Sequence, residues 1–115
     1  MHILKQSDRV MYQIILCTCP DQKTAEQIAS ELINHQLAAC VNIVPGITSV
    51  YRWQANIETA QEHLLLIKSQ AEQYQAIETQ IKQIHPYELP EIIAVPIDRG
   101  LPEYLQWIDT CLSPK

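Results

Sequence analysis

Residues 38–68 read AACVNIVPGITSVYRWQANIETAQEHLLLIK, and the architecture turns on how they are divided. Ala38 to Trp53 is rich in β-branched and aromatic residues and is interrupted once, by Pro45-Gly46. Proline removes a ladder donor and glycine admits an unusual backbone angle, so a bulge or bend is expected there. Gln54 to Asn56 reads as a turn, and Ile57 to Lys68 as a second long strand running back. Strands of roughly 12 residues at about 3.3 Å each reach near 40 Å, about twice the usual length. The far part of this hairpin carries Val50, Tyr51, Trp53, Ile57 and Ala60 on both faces. An isolated two-stranded ribbon is marginal in water, and apolar side chains with free edges invite another chain. The sequence therefore predicts an obligate oligomer.

Outward from the hairpin, the flanks supply a sheet and its cover. Tyr12 to Thr18, YQIILCT, is an apolar run stopped by Pro20, as a buried strand would be. Asp21 is placed to cap a helix through Gln36, with Ala25, Ile28, Ala29, Leu32 and Ile33 on one face. After the hairpin, Ser69 and Glu72 form a Ser-x-x-Glu pattern that predicts a helix start. Tyr74, Ile77, Ile81 and Ile84 make that helix's apolar stripe, and Pro86 ends it at about His85. Ile92 to Ile97 is a nearly continuous apolar strand, expected in the middle of the sheet. Gly100 breaks the chain, and Pro102 suits the first turn of a last helix faced by Leu101, Tyr104, Leu105, Ile108 and Leu112. The order β-α-β-β-α-β predicts an α+β, ferredoxin-like sandwich: a four-stranded antiparallel sheet with helices on one side, plus an extra C-terminal helix. Residues 1–11 read as a loose tail and 12–115 as a single domain.

Composition narrows the function classes. The formal net charge is −5 with acids and bases dispersed, and no basic face is concentrated enough to neutralise phosphate. Nucleic acid is excluded as a partner on that ground. No stretch approaches the ~20 apolar residues of a membrane helix, and the first residues lack a signal-peptide core. A cytoplasmic location is the expectation, with Cys17, Cys19, Cys40 and Cys111 kept as thiols rather than a disulfide framework.

Several blocks together resemble the CutA family of divalent-ion tolerance proteins: LCTCPD at 16–21, LAACVNIVPGITSVYRW at 37–53, LLLIKS at 64–69, HPYELPEIIAVPI at 85–97 and YLQWI at 104–108. The resemblance spans residues 12 to 109. It implies a ferredoxin-like subunit, a tight homotrimer similar in plan to the nitrogen-regulatory PII proteins, a cytoplasmic location, and a link to copper or another divalent cation. In copper-binding members it implies ligands at the cysteine of the LCT block and at two consecutive histidines before Pro-Tyr. Cys17 and His85 match that set, whereas the first histidine's position holds Ile84. After YRW the family usually has a Gly-Lys turn where this chain has QANI.

Two functional readings follow, of different classes. One is a non-enzymatic homotrimer that binds a divalent metal, copper by implication of the resemblance, through the Cys17 thiolate and His85 imidazole, with Glu91 and Glu62 as weaker ligands. The other is a PII-like sensor or assembly module that holds a small organic ligand or a protein partner in an inter-subunit pocket. Arg52, Trp53, Glu58, Lys68, Tyr87 and Tyr104 would line that pocket, with Tyr51 beside them. A third, enzymatic reading takes Cys17 as nucleophile and His85 as base, but no acid is placed to orient the histidine and no Gly-rich phosphate cradle is present. Each residue also has a bland role. Cys17 and Cys19 serve equally as small buried hydrophobes, although Cys19 at the strand end has a chance of exposure. Cys40 reads as core and Cys111 as incidental. His85 suits a helix C-terminus, where a ring nitrogen satisfies a last carbonyl. Glu91 suits a pair with Lys68 or Arg52 across a subunit boundary. Glu58, Glu62 and Lys68 fall on one face of the second hairpin strand, which reads as solvated in a monomer. Asn42 needs partners if buried, and His2, His35 and His63 read as surface residues.

Overall fold

Asp21 makes the first helix where the sequence expects it. The structure, a computed structural model, describes residues 10–113. Strand β1 (Tyr12–Cys19) leads into α1 (Gln22–Asn34), and the Asp21 carboxylate accepts the Thr24 N–H at 2.8 Å. That bond holds the Asp21 carboxyl below its usual pKa. The helix stops two residues before the expected end, because Gln36 turns left-handed at φ 57° and Leu37 N–H closes back on the Leu32 carbonyl. Then come β2 (Cys40–Trp53), β3 (Asn56–Gln70), a 3₁₀ turn (Ala71–Gln73), α2 (Tyr74–Ile84), β4 (Ile92–Pro96) and α3 (Pro102–Leu112). The expected tail falls outside the described residues except for Val10 and Met11, and the Met11 carbonyl accepts the Ala71 N–H at 2.7 Å.

The four strands form one sheet in the order β2-β3-β1-β4, antiparallel throughout. One face is closed by α1 and α2. Ile15, Cys17, Cys19, Leu65 and Ile67 alternate onto it and meet Ala25, Ile28, Leu32, Ile77 and Ile81, all fully buried. The strand register puts Tyr12 opposite Gln70, and both donate to the Asp109 carboxylate of α3 (2.8 and 2.9 Å from Tyr12, 2.7 Å from Gln70). The alternate residues therefore face the other way, and the extra helix packs on the second face, burying Ile108.

Two expectations are corrected. Ser69 does not cap a helix: it is a fully buried β3 residue whose hydroxyl donates to the Leu37 carbonyl, and no side chain caps the 3₁₀ turn that follows. Strand β4 is not central but an edge, with β1 taking the middle. Its continuous apolar run arises because Ile93 and Val95 lie exposed on the second face and not because both faces are covered.

The hairpin is as long as the sequence requires. It carries a register shift between Val44 and Ile47, at Pro45-Gly46, and Gly46 takes φ 73°. Asn42 is exposed and so needs no internal partner. Trp53 pairs with Asn56 across a two-residue loop in which Gln54 (φ 49°) and Ala55 (φ 69°) are both left-handed, a type I′ turn. The molecule measures 58 × 29 × 24 Å, with a radius of gyration of 15.9 Å. A compact chain of this size would have about 13 Å. Residues 50–59 are all exposed, so the three helices cover only the root of the hairpin.

Candidate functional site

The residues singled out from the sequence fall into three separate places. The first is the root of the hairpin, where the segment after α2 folds over the end of β1. Pro86 cannot continue the helix, and His85 closes it by donating its backbone N–H to the Ile81 carbonyl at 2.8 Å. Its ring then turns toward β1, with Nε2 2.8 Å from the Thr18 carbonyl oxygen and Nδ1 3.1 Å from the Tyr87 backbone nitrogen. A carbonyl only accepts and a backbone N–H only donates, so Nε2 carries the proton and Nδ1 offers the lone pair. The imidazole is neutral and both nitrogens are engaged. His85 thus satisfies a β1 carbonyl across the fold and not, as expected, a last carbonyl of its own helix.

Tyr87 carries the linkage onward. Its ring packs against His85 at a 52° tilt with centroids 4.7 Å apart, and its hydroxyl donates to Glu62 Oε2 at 2.8 Å. Burial, and then this bond to the carboxylate, pushes the Tyr87 phenol well above its ordinary pKa. Glu62 is only 7% exposed, whereas Glu58 four residues earlier is open to solvent. The two acids do not share the solvated strip that alternation along β3 suggests.

Both cysteines of Cys17-Thr18-Cys19 are fully buried, including Cys19, whose strand-end position had left exposure open. Cys17 Sγ donates to the Thr18 carbonyl at 3.8 Å and Cys19 Sγ to the Asp21 carbonyl at 3.7 Å. Burial pushes the Cys17 thiol up to about 12, helped by Cys19, Glu91 and Glu62 nearby. Cys19 rises to about 11, again chiefly by burial. Neither sulfur is a thiolate near neutral pH, and the Cys17 proton points at a carbonyl and not at the His85 ring. No nucleophile–base pair is assembled here.

A resident metal does not fit this donor set. Cys17 is fully buried with its sulfur turned to the Thr18 carbonyl, the one lone pair of His85 is taken by Tyr87, and Ile84 stands in place of a second imidazole. Among the described residues, no three His, Cys, Asp or Glu side chains are arranged to hold an ion.

The second place is the tip, where Arg52, Trp53 and Glu58 are exposed and their side chains make no polar contact among the described residues. The third lies on the other sheet face, where Lys68 Nζ sits 5.8 Å from the Tyr104 ring centroid and Tyr104 packs on Trp107 at 5.5 Å. From Trp53 at the tip to Lys68 is about 40 Å along the hairpin at 3.3 Å per residue. One chain does not bring the six expected pocket residues together.

Other residues escaped the sequence. The junction of Tyr12, Gln70 and Asp109 joins positions 97 apart in the chain, and nothing in local pattern signals it. Burial and the Asp109 bond raise Tyr12 to about 12. His63, expected at the surface, is half-buried: its Nδ1 is enclosed without a hydrogen-bond partner, and it lies near the Asp21 carboxylate. Cys40 is half-buried and not core, as is Cys111, while His35 is exposed and bonds the Glu31 carbonyl at 2.8 Å. His2 lies outside the described residues.

Comparison with known proteins places this geometry among relatives. The family described as "CutA1 divalent ion tolerance protein" matches residues 13–111. The "Divalent-cation tolerance protein CutA" of Thermus thermophilus is 46% identical over 98 residues, which are 85% of this chain and 95% of that protein. The crystal structure of CutA from Xylella fastidiosa superposes with a TM-score of 0.86 at 50% identity, covering 89% of this chain and 98% of its own. A protein of Archaeoglobus fulgidus, described as a periplasmic divalent cation tolerance protein CutA, superposes at 0.88 with 41% identity over 90% of this chain and all of its own. No helix among the described residues is long and apolar enough to cross a membrane.

Proposed function

Because the chain belongs to the CutA1 family of divalent ion tolerance proteins, we propose that it acts as a cytoplasmic homotrimer of PII-like plan whose working surface lies between subunits. The observation that carries this reading is the uncovered overhang of the hairpin. Val50, Trp53 and Ile57 are 66, 57 and 73% exposed on a ribbon that no helix among the described residues reaches. Both sheet edges, β2 and β4, are also free to pair. Such a ribbon gains little from its own fold and is stabilised when a second chain covers it.

In the assembly, Arg52, Trp53 and Glu58 at the tip of one subunit would meet Tyr87, or Lys68 and Tyr104, of another. The resulting pocket has aromatic walls and a few charges, which suits a small organic ligand or a partner segment. A divalent cation enters this reading as the stimulus in the family's description and not as an ion held by Cys17, His85, Glu91 and Glu62. The family description names a tolerance and no reaction, and we assign no catalytic residue.

Native mass spectrometry at micromolar concentration tests the assembly: a trimer is expected, and a monomer overturns it. Calorimetry with copper and with zinc tests the closed root. Cys17→Ala and His85→Ala are expected to leave the stoichiometry of the wild type unchanged. If both variants lose the same equivalent of metal, the metal-site reading returns. A thermal-shift screen should show stabilisation by metabolites and not by metals.

A further inference from the structure

Two groups in this chain are unpaired in complementary ways. Glu62 is a nearly buried carboxylate with no cationic partner among the described residues: Oε2 takes the Tyr87 hydroxyl, and Oε1 reaches the surface without a partner. Acids are almost never buried to this degree unless paired. Exposed Glu91 is also near enough to act on the Cys17 thiol, as Glu62 does. Arg52 is the reverse case. It is the only Lys or Arg between residues 44 and 63, it makes no ion pair among the described residues, and it shares a face of the overhang with Val50 and Ile57. Whatever covers those apolar side chains also takes water from the guanidinium. A desolvated guanidinium without an acid is strongly unfavourable, so the covering surface must bring one.

The chain's own Glu62 is not that acid for its own Arg52. Arg52 pairs across the hairpin with Ile57, and Glu62 lies five residues further along β3, about 17 Å away at 3.3 Å per residue. Glu58 is close in sequence but pairs with Tyr51, so its side chain stands on the opposite face of the ribbon from Arg52 and Ile57. We propose that a second copy of this chain inserts its Arg52 at Glu62 Oε1, so that the Tyr87–Glu62 pair at the root of one subunit is completed by the hairpin tip of the next. The contact joins two different patches, tip to root. Repeated by rotation it closes a ring, and in a trimer each subunit gives one arginine and receives one. A planar guanidinium fits this role, since its fixed fork of N–H donors matches carboxylate geometry. The inference rests on the oligomer proposed above and assigns which residue one subunit lends to another.

A zero-length cross-link tests it. In Arg52→Lys the charge is kept and a primary amine is gained, which a carbodiimide couples to a carboxylate only in direct contact. Mixed ¹⁴N- and ¹⁵N-labelled Arg52→Lys protein, coupled, digested and read by mass spectrometry, should give isotopically mixed peptides joining position 52 to Glu62 or Glu91. An oligomer whose position 52 links only to other carboxylates overturns the pairing and leaves the assembly standing. A wild type that is monomeric in native mass spectrometry overturns both. As an independent measure, Arg52→Gln and Glu62→Gln should each raise the subunit dissociation constant about tenfold, and the double variant should be no weaker than the weaker single one. Additive losses overturn the pairing.

Discussion

The root and the tip of the same hairpin are made differently. At the root, β3 lies between β1 and β2, its inward residues are buried, and the polar groups nearby are answered within the chain: Thr18 by His85, His85 by Tyr87, Tyr87 by Glu62. At the tip, two strands stand alone, and every residue from 50 to 59 is exposed. Apart from Glu62 Oε1, the root therefore behaves as the interior of a subunit, and the tip, in the assembly proposed above, as half of an interface. A perturbation of the root's enclosed groups, Cys17 and His85, should be felt as folding stability at any protein concentration. A perturbation of the tip should be felt as assembly, and should depend on concentration.

The largest expected effect is on the root, at alkaline pH. In the unfolded chain Cys17 loses its proton near 9, while the folded protein holds it to about 12. The folded-state value is the higher one, so the stability linked to Cys17 is fully present below 9 and is lost as pH rises toward 12. The slope is about 1.4 kcal/mol per pH decade, or about 4 kcal/mol over the whole window. Urea midpoints measured from pH 8 to 11 should fall with pH, and Cys17→Ala should flatten the fall. A Cys17→Ala profile parallel to the wild type would place the thiol in water and undo the contrast with the tip.

Next comes His85→Ala. It leaves the Thr18 carbonyl with only the weak Cys17 thiol as donor and takes the acceptor from the Tyr87 N–H, which should cost about 2–4 kcal/mol. Denaturant unfolding at two protein concentrations checks it, since a root effect does not move with concentration. At the tip, Ile57→Asp should do the reverse. It places a charge where the proposed neighbour would pack, costing about 2–3 kcal/mol of association while the subunit's far-UV circular dichroism is retained. Analytical ultracentrifugation should show a shift toward monomer, and unchanged sedimentation would mean that the tip is not an interface.

The same contrast accounts for what was legible in the sequence. The tip was readable because its signal is length: strands that long outrun any helix in a chain of 115 residues, whatever their contacts. Asp21 as a cap and Pro45-Gly46 as a bulge were readable because each acts on its own few residues. The root was not, because its side chains answer partners distant in sequence. His85 and Thr18 are 67 positions apart, and Tyr87 and Glu62 are 25 apart. Each residue was singled out for its chemistry, yet the pairings that decide the chemistry have no local trace. Ser69 failed for a related reason. The Ser-x-x-Glu pattern is genuine, but the tertiary fold extends β3 through Ser69 and gives its hydroxyl to Leu37, overriding a local preference worth about 1 kcal/mol. Strand β4 failed because an apolar run reads alike whether its second face is covered by its own chain or awaits another.

The smallest expected effect lies at the tip's own turn, and it separates intrinsic strain from assembly. Gln54 and Ala55 both sit in the left-handed region that a type I′ turn demands, where a side chain costs about 1 kcal/mol relative to glycine. Ala55→Gly removes that cost without touching Arg52, Trp53 or Ile57. If the ribbon is ordered within the subunit, the variant gains about 1 kcal/mol in folding stability, with a subunit dissociation constant close to the wild type's. If the ribbon takes shape only when a neighbour covers it, the gain appears as tighter association and vanishes on dilution. Urea unfolding and ultracentrifugation on one pair of samples distinguish the two. A variant less stable than the wild type in both would mean that the chain at Gln54-Ala55 does not turn through a left-handed pair at all.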